Sequence, residues 1–469
     1  MHISSLPGKY GCGSFGEEAI RFIDLIEKGG FKIWQVLPFS VPDDFGSPYK
    51  AISAFAGNPW FIDIDTLVRK GLLTFAEAGG AKQSQPYVAE FSKLAAERFD
   101  LLKTASSRVD SDTRCRIEDF IAGNRHLDEF CTYMATKKAN GGKTWYDFDP
   151  DIKPSREDVF AWKFIQYEFF IEWMSIKSYA NSKGISIIGD LPIYVDSDSS
   201  DVYFERENFL LDASGKPEKV AGVPPDYFSP DGQLWGNPLY DWKFMKKDGY
   251  RWWLDRIEWQ LTLFDGVRID HFRAFADYFA VPAGETTARN GKWCEGPGLP
   301  FVKLLKKQAG SRLIIAEDLG DIDDKVRKLL ADSELPGMRV FQFAFLGKNT
   351  PHMPHNYPEN SVAYSGTHDN NTLLGYLWEL DDGTRRYMLD YCNHQSDWTG
   401  GLISIMKTIL SSHAMRVVFP IQDLLGFGSD TRMNRPGVAE GNWQFRTTAE
   451  QLSSIDMGMW KYLNEMYGR

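Results

Sequence analysis

The chain has 469 residues, a formal net charge of -11, 43% hydrophobic and 25% charged residues. This is ordinary globular usage and excludes a collagen, a disulfide mini-protein and wholesale disorder. An acidic surface repels phosphate backbones, which argues against nucleic acid as a main partner, and no run of eighteen apolar residues is present to cross a membrane.

In chain order, the first strand candidate is the very short run 2–6. Residues 17–28 (EEAIRFIDLIEK) follow with helical spacing, Ile20, Ile23 and Ile26 lying near one side. Residues 32–39 (KIWQVLPF) read as a strand. The stretch of about 70–155 is rich in Ala, Glu, Lys and Arg with helical periods and reads as a helical insertion subdomain. A helix at 158–180 precedes a strand at 185–195 (ISIIGDLPIYV). Residues 197–241 carry Gly, Pro, Asp, Tyr and Trp with no clear period and read as an ordered loop subdomain. Helical spacing at 249–263 and 321–330 alternates with strand runs at 266–272 (GVRIDHF), 313–319 (LIIAEDL), 338–345, 361–369 and 415–421. Continuous apolar runs of this length fit parallel strands buried on both faces. Their alternation with helices gives βα units, whose natural closure is a single (β/α)8 TIM barrel over 1–469. The run 2–6 stands in as an apparently truncated first strand. A barrel of this kind carries its active site at the C-terminal ends of the strands.

Cys12, Cys115, Cys131, Cys294 and Cys392 are odd in number, scattered and without a CxxC pair. They read as free thiols in a reducing, cytoplasmic compartment. The N-terminus lacks a charged segment followed by an apolar one, so no secretory signal is read. The eight His form no HExxH, no GxGxxG opens a helix after a strand, and no GxxxxGK[ST] occurs. Neither a metal nor a nucleotide cofactor is expected. Aromatics reach 14%, with 15 Trp; they read either as a well-filled core or as flat faces for the apolar C–H surfaces of sugars.

The charged residues gather at the strand ends. Arg268 and Asp270 are two apart in one strand and share a face. A guanidinium beside a carboxylate favours its charged form, which a carboxylate nucleophile needs; a structural ion pair is the alternative reading. Glu317 emerges from an apolar run, where partial desolvation suits a general acid. Other strands end in Asp190 and in His368-Asp369. Four carboxylates converging on one barrel mouth are costly to place without a ligand, because like charges in a low-dielectric pocket repel. Retaining glycosidic enzymes use two such groups, one attacking the anomeric carbon and one protonating the leaving oxygen.

The segments VRIDHFRAF, IIAEDLG and SGTHDNNT resemble the 4-alpha-glucanotransferases, the amylomaltase or disproportionating-enzyme family. Supporting motifs are HISSLPGKYGCGSFG, WQVLPF, SPYKAISAFAGNPWFIDID, GDLPIYV and GVPPDYFSPDGQLWGNPLYDW. The resemblance implies Asp270 as nucleophile, Glu317 as acid and base, and Asp369 as transition-state stabiliser. It implies Arg268 as the group orienting Asp270, His368 and Asp190 as donor-sugar ligands, and Tyr49 as a platform beside the scissile sugar, with core packing the alternative for Tyr49. The implied partners are α-1,4-glucans and maltooligosaccharides.

A transferase must also exclude water. The loop 222–240 is the candidate device, offering Tyr227, Phe228 and Trp235 as flat faces and Asp226, Gln233 and Asn237 as hydrogen-bonding groups. An aromatic loop merely packed on the barrel is the alternative. Two rival functions stand beside transfer: an α-glucan hydrolase of the amylase type, and a non-catalytic glucan-binding barrel. Near the C-terminus, Asn442-Trp443-Gln444-Phe445-Arg446 resembles the family's end motif and receives no catalytic role.

Overall fold

A computed structural model describes residues 1–42, 46–225, 229–347, 349–395, 398–438 and 440–469. Eleven strands are present among them: β1 (Ile33–Gln35), β2 (Ser186–Leu191), β3 (Lys219–Val223), β4 (Gln233–Pro238), β5 (Gly266–Ile269), β6 (Asp277–Pro282), β7 (Lys292–Glu295), β8 (Leu313–Ala316), β9 (Gly337–Val340), β10 (Ser361–Tyr364) and β11 (Arg416–Val418). Seven of them form one sheet in the order β1-β2-β5-β8-β9-β10-β11, with every pairing parallel. α-Helices lie in every connection between successive strands of this sheet except that from β9 to β10, where the described residues form only two short 3-10 turns. The result is a nearly closed barrel of the (β/α)8 type.

Alternation along the strands builds two separate cores. Ile188, Ile315, Met338, Val340, Val362 and Tyr364 fill the barrel interior. Their strand neighbours Ile187, Val267, Ile269, Ile314 and Ala363 face the surrounding helices. The long helix Arg156–Ser182 packs against this outer layer and is N-capped by Ser155. Its Trp173 is fully buried between Phe15, Phe39 and Phe264, and its indole N–H donates to Leu263 O at 2.8 Å. Truncating such a side chain to Ala costs about 3–5 kcal/mol. Gly189 in β2 allows this close packing, because a Cβ there would lie 2.2 Å from the Phe264 ring.

Residues 2–6 are not a strand, contrary to the expectation. Ile3–Ser5 form a 3-10 turn. Ser4 O accepts from Gly13 N, and the His2 imidazole Nδ1 accepts from Leu37 N at 3.2 Å, so the segment is tied to loops instead of a ladder. β1 and β11 are not paired with each other. Across that seam Tyr364 donates to Gln35 Oε1 at 3.0 Å.

The region 197–241 is also more regular than an aperiodic loop. It contains the helix Ser200–Phe204 and the strands β3 and β4. These join β6 and β7 in a second sheet, antiparallel, in the order β4-β3-β6-β7. Among the described residues between β1 and the helix Arg156–Ser182 lie five α-helices, Ile64–Arg69, Phe75–Gly80, Phe91–Ser106, Ser111–Ala122 and Arg125–Ala139. No helix among the described residues is long and apolar enough to cross a membrane.

Candidate active site

The site begins with strand register. β2 pairs with β5 so that Asp190 stands opposite Arg268. Both side chains enter the barrel interior above the apolar layer and are almost fully buried. Arg268 Nη1 donates to both Asp190 oxygens at 2.8 Å. Its Nη2 reaches Asp270 Oδ1 at 2.9 Å. One guanidinium therefore joins two carboxylates, using the planar fork that Arg presents and Lys does not. Burial pushes the Asp190 carboxyl above the ordinary range, and Arg268 opposes that push. The Tyr49 hydroxyl donates to the other side of the pair, at 2.8 Å to Asp190 Oδ2.

Glu317 follows directly on β8. Its carboxylate is held by two backbone N–H groups, Leu319 N to Oε1 at 2.7 Å and His271 N to Oε2 at 2.8 Å. His271 is the residue after Asp270, and its backbone is left-handed with φ 46°. A non-glycine residue held there stores strain, a condition common at functional sites. The conformation turns the His271 N–H onto Glu317 and thereby fixes the acid beside Asp270. Burial pushes the Glu317 carboxyl up to about 7; Arg268 opposes this and the Asp270 carboxylate adds to it.

The loop after β10 supplies the third acid. His368 Nε2 lies 3.4 Å from Asp369 Oδ2. Asn434 Nδ2 donates to Asp369 Oδ1 at 2.6 Å, and Arg432 Nη2 donates to the Asp369 carbonyl at 2.6 Å. Burial works to raise this carboxyl, but His368 and the Asn434 amide outweigh it and hold Asp369 below the usual carboxylate range. The His368 ring stacks on Tyr49 with centroids 4.9 Å apart, and Trp443 leans on both at 5.6 and 5.7 Å.

Asp270, Asp369, Tyr49 and His368 line one solvent-open cleft, together with Gln233, Trp235 and Asn237 from β4. Trp235 meets the His271 ring edge to face at 4.8 Å. The Asn237 amide donates to Val195 O at 2.8 Å, and Gln233 Oε1 accepts from the Trp235 indole at 3.2 Å. Asp226, Tyr227 and Phe228 lie outside the described residues. The sequence assigns no site role to Asn434, Arg432 or His271, and places Trp443 only in an end motif without a catalytic role. The polar run Arg432-Met433-Asn434-Arg435 ahead of Pro436-Gly437 was the available signal for the first two.

Among the described residues, His126, Glu129 and Glu205 have metal-like spacing, with ligand atoms within 4.8 Å of one another. Arg125 already bridges the two glutamates, Nε to Glu129 Oε1 at 2.7 Å and Nη2 to Glu205 Oε1 at 2.6 Å. That guanidinium supplies the positive charge the group needs.

The 4-alpha-glucanotransferase model of glycoside hydrolase family 77 matches residues 1–452. The chain is 40% identical over 489 residues to a 4-alpha-glucanotransferase of Clostridium butyricum, covering 100% of both. It is 38% identical over 471 residues to the chloroplastic/amyloplastic 4-alpha-glucanotransferase of Solanum tuberosum, covering 95% of this chain and 81% of that one. Among solved structures it resembles the amylomaltase from Streptococcus agalactiae in complex with acarbose, with a TM-score of 0.95, 34% identity and coverage of 100% and 98%. The chain belongs to the 4-alpha-glucanotransferase, or amylomaltase, family of glycoside hydrolase family 77.

Proposed function

We propose that the protein moves an α-1,4-glucan segment to the 4-hydroxyl of an acceptor glucan or glucose by double displacement, with Asp270 as nucleophile and Glu317 as acid and base. The supporting observation is the hydrogen bond from His271 N to Glu317 Oε2, which ties the acid to the residue that follows Asp270. In the first step Asp270 Oδ attacks the anomeric carbon. The glycosidic C–O bond breaks, and Glu317 gives its proton to the departing 4-oxygen. A covalent glucosyl ester remains on Asp270. In the second step the ionised Glu317 takes the proton of an incoming 4-hydroxyl, whose oxygen displaces Asp270 and restores the α-linkage. Atoms and protons balance over the cycle, and the two steps need no co-reactant besides the donor and acceptor sugars.

Arg268 orients Asp270 by gripping it and Asp190 with one planar group. Asp369, kept charged by His368 and Asn434, faces the same cleft and stabilises the oxocarbenium-like transition state. Tyr49, backed by His368 and Trp443, offers a flat face to the donor sugar. Asp190 and His368 serve as donor-sugar ligands. On the acceptor side β4 presents Trp235 over His271, with Gln233 and Asn237 nearby; Asp226, Tyr227 and Phe228 precede β4 in the sequence. This hairpin excludes water while an acceptor glucan is held. Cys12, Cys115, Cys131, Cys294 and Cys392 are all free thiols, in keeping with work in the cytoplasm.

Incubation with maltotriose tests the reading. Transfer gives glucose together with maltodextrins longer than three units. Glucose and maltose without any lengthened product would assign the chain to hydrolysis instead, and binding without turnover would assign it to a non-catalytic barrel.

A further inference from the structure

Asp423 lies in the short helix Ile421–Leu425 that follows β11, and it is 2% exposed. Its two carboxylate oxygens take the two ends of one loop. Oδ2 accepts from the Ser365 hydroxyl at 2.6 Å, at the exit of β10. Oδ1 accepts from Leu373 N at 2.7 Å, the first residue of the helix Leu373–Glu379. The residues between these two points are 366–372, and they carry His368 and Asp369.

A buried carboxylate is costly unless something compensates it. Burial pushes the Asp423 carboxyl up to about 6, and its partners are the neutral hydroxyl and the neutral N–H. The position thus carries a charge where an apolar residue would pack at lower cost. The same short helix also reaches the other wall around Asp369: Gln422 Nε2 donates to Thr431 O at 3.2 Å, next to Arg432, which holds the Asp369 carbonyl. Asn434, which holds the Asp369 carboxylate, is itself joined to the loop by its backbone N–H to His368 O at 3.0 Å.

We propose that Asp423 is a positioning residue for the transfer reaction: it clamps both ends of the loop 366–372 and so fixes the Asp369 carboxylate over the reacting sugar. The proposal rests on the reading of Asp369 as a transition-state group. A clamp of this kind acts on the transition state more than on ground-state binding, so its loss appears in kcat. Misplacing a catalytic group by about 1 Å costs on the order of 100-fold.

The test is a double-mutant cycle with maltotriose. Asp423→Asn keeps the shape but offers only one oxygen acceptor for two donors. It is expected to lower kcat by about 10–100-fold, with KM within about twofold of the parent. In an Asp369→Asn background the same change is expected to add less than about threefold, because the group it positions is already gone. Ser365→Ala removes one arm of the clamp alone and is expected to lower kcat by a smaller factor with the same KM; it carries the test if Asp423→Asn does not fold. Equal losses in the two backgrounds, or a lowered melting temperature with kcat unchanged, would overturn the clamp. Near-parental activity in Asp369→Asn itself would instead overturn the reading of Asp369, so the two failures are distinguished.

Discussion

Replacing Arg268 by Met leaves Asp190 buried at 1% exposure with its cationic partner gone. Met retains much of the length and removes the charge, so the effect is mainly electrostatic. Arg268 is the cation that opposes the upward push of burial on Asp190. Without it the carboxyl takes up a proton in the folded state. An unfolded Asp titrates at about 3.9, and each pH unit above that adds about 1.4 kcal/mol to the cost of holding it protonated. The expected destabilisation is at most about 4 kcal/mol at pH 7 and at most about 2 kcal/mol at pH 5.5, because the Asp190 carboxyl of the parent is itself already raised. This agrees with the range of about 3–5 kcal/mol for breaking a buried ion pair. The sign follows from proton binding: a carboxyl raised above its unfolded value binds its proton more tightly when folded, so the penalty is absent at low pH and grows as pH rises. Urea unfolding of parent and variant at both pH values reads the difference. An equal loss at pH 5.5 and 7, or no loss at either, would show that Asp190 does not depend on Arg268 for its charge.

In the proposed reaction Glu317 must carry a proton to release the leaving oxygen, and burial pushes its carboxyl up to about 7. For maltotriose, kcat/KM is therefore expected to fall about tenfold per pH unit above that value. A glucosyl fluoride donor needs no acid, so release of fluoride should lack this alkaline limb; a limb common to both donors would contradict the assignment. Gly222→Ala places a Cβ 2.5 Å from Gln233 O across the β3–β4 hairpin and displaces the strand that carries Trp235. The expected result is a severalfold larger share of hydrolysis in the maltotriose products, and an unchanged share would count against the hairpin as the element that excludes water.

The barrel was legible because its strands are buried on both faces. In β5 all four residues are buried, and GVRI stands out as an apolar run interrupted by one charge. That interruption is Arg268, the residue on which the site is built. The helix Glu17–Lys28 was equally plain from its isoleucine spacing. The antiparallel sheet was not, because β4 reads Gln-Leu-Trp-Gly-Asn-Pro and shields the cleft instead of filling a core. Its strand form depends on β6 and β7, which lie farther along the chain. The run 2–6 departs from the expected strand because five residues with only Ile3 and Leu6 apolar look the same in a short strand and in a buried 3-10 turn; hydrogen bonds to Gly13 and Leu37, outside the run, decide the outcome.

For the site, motif and strand-end position together single out Asp270, Glu317 and Asp369; in the structure Asp270 and Asp369 line one cleft, and Glu317 is bonded to the backbone of His271, next to Asp270. Of the groups that hold them, Arg268 and His368 are named from the sequence, whereas His271 and Asn434 are not, for a physical reason. His271 acts through its backbone N–H, which any residue type offers, and only the left-handed φ reveals it. Asn434 and Trp443 come from a segment without a strand of its own, so nothing in local periodicity points them at Asp369 or Tyr49.

Trapping the intermediate gives the sharpest measurement. In Glu317→Gln, 5-fluoro-α-glucosyl fluoride loses fluoride without acid help, while the missing base slows the second displacement. Peptide mass spectrometry is expected to find the fluoroglucosyl group esterified to Asp270. Fluoride release with the label on Glu317→Gln's neighbours or on Asp369, and none on Asp270, would contradict a reaction in which Asp270 attacks the anomeric carbon.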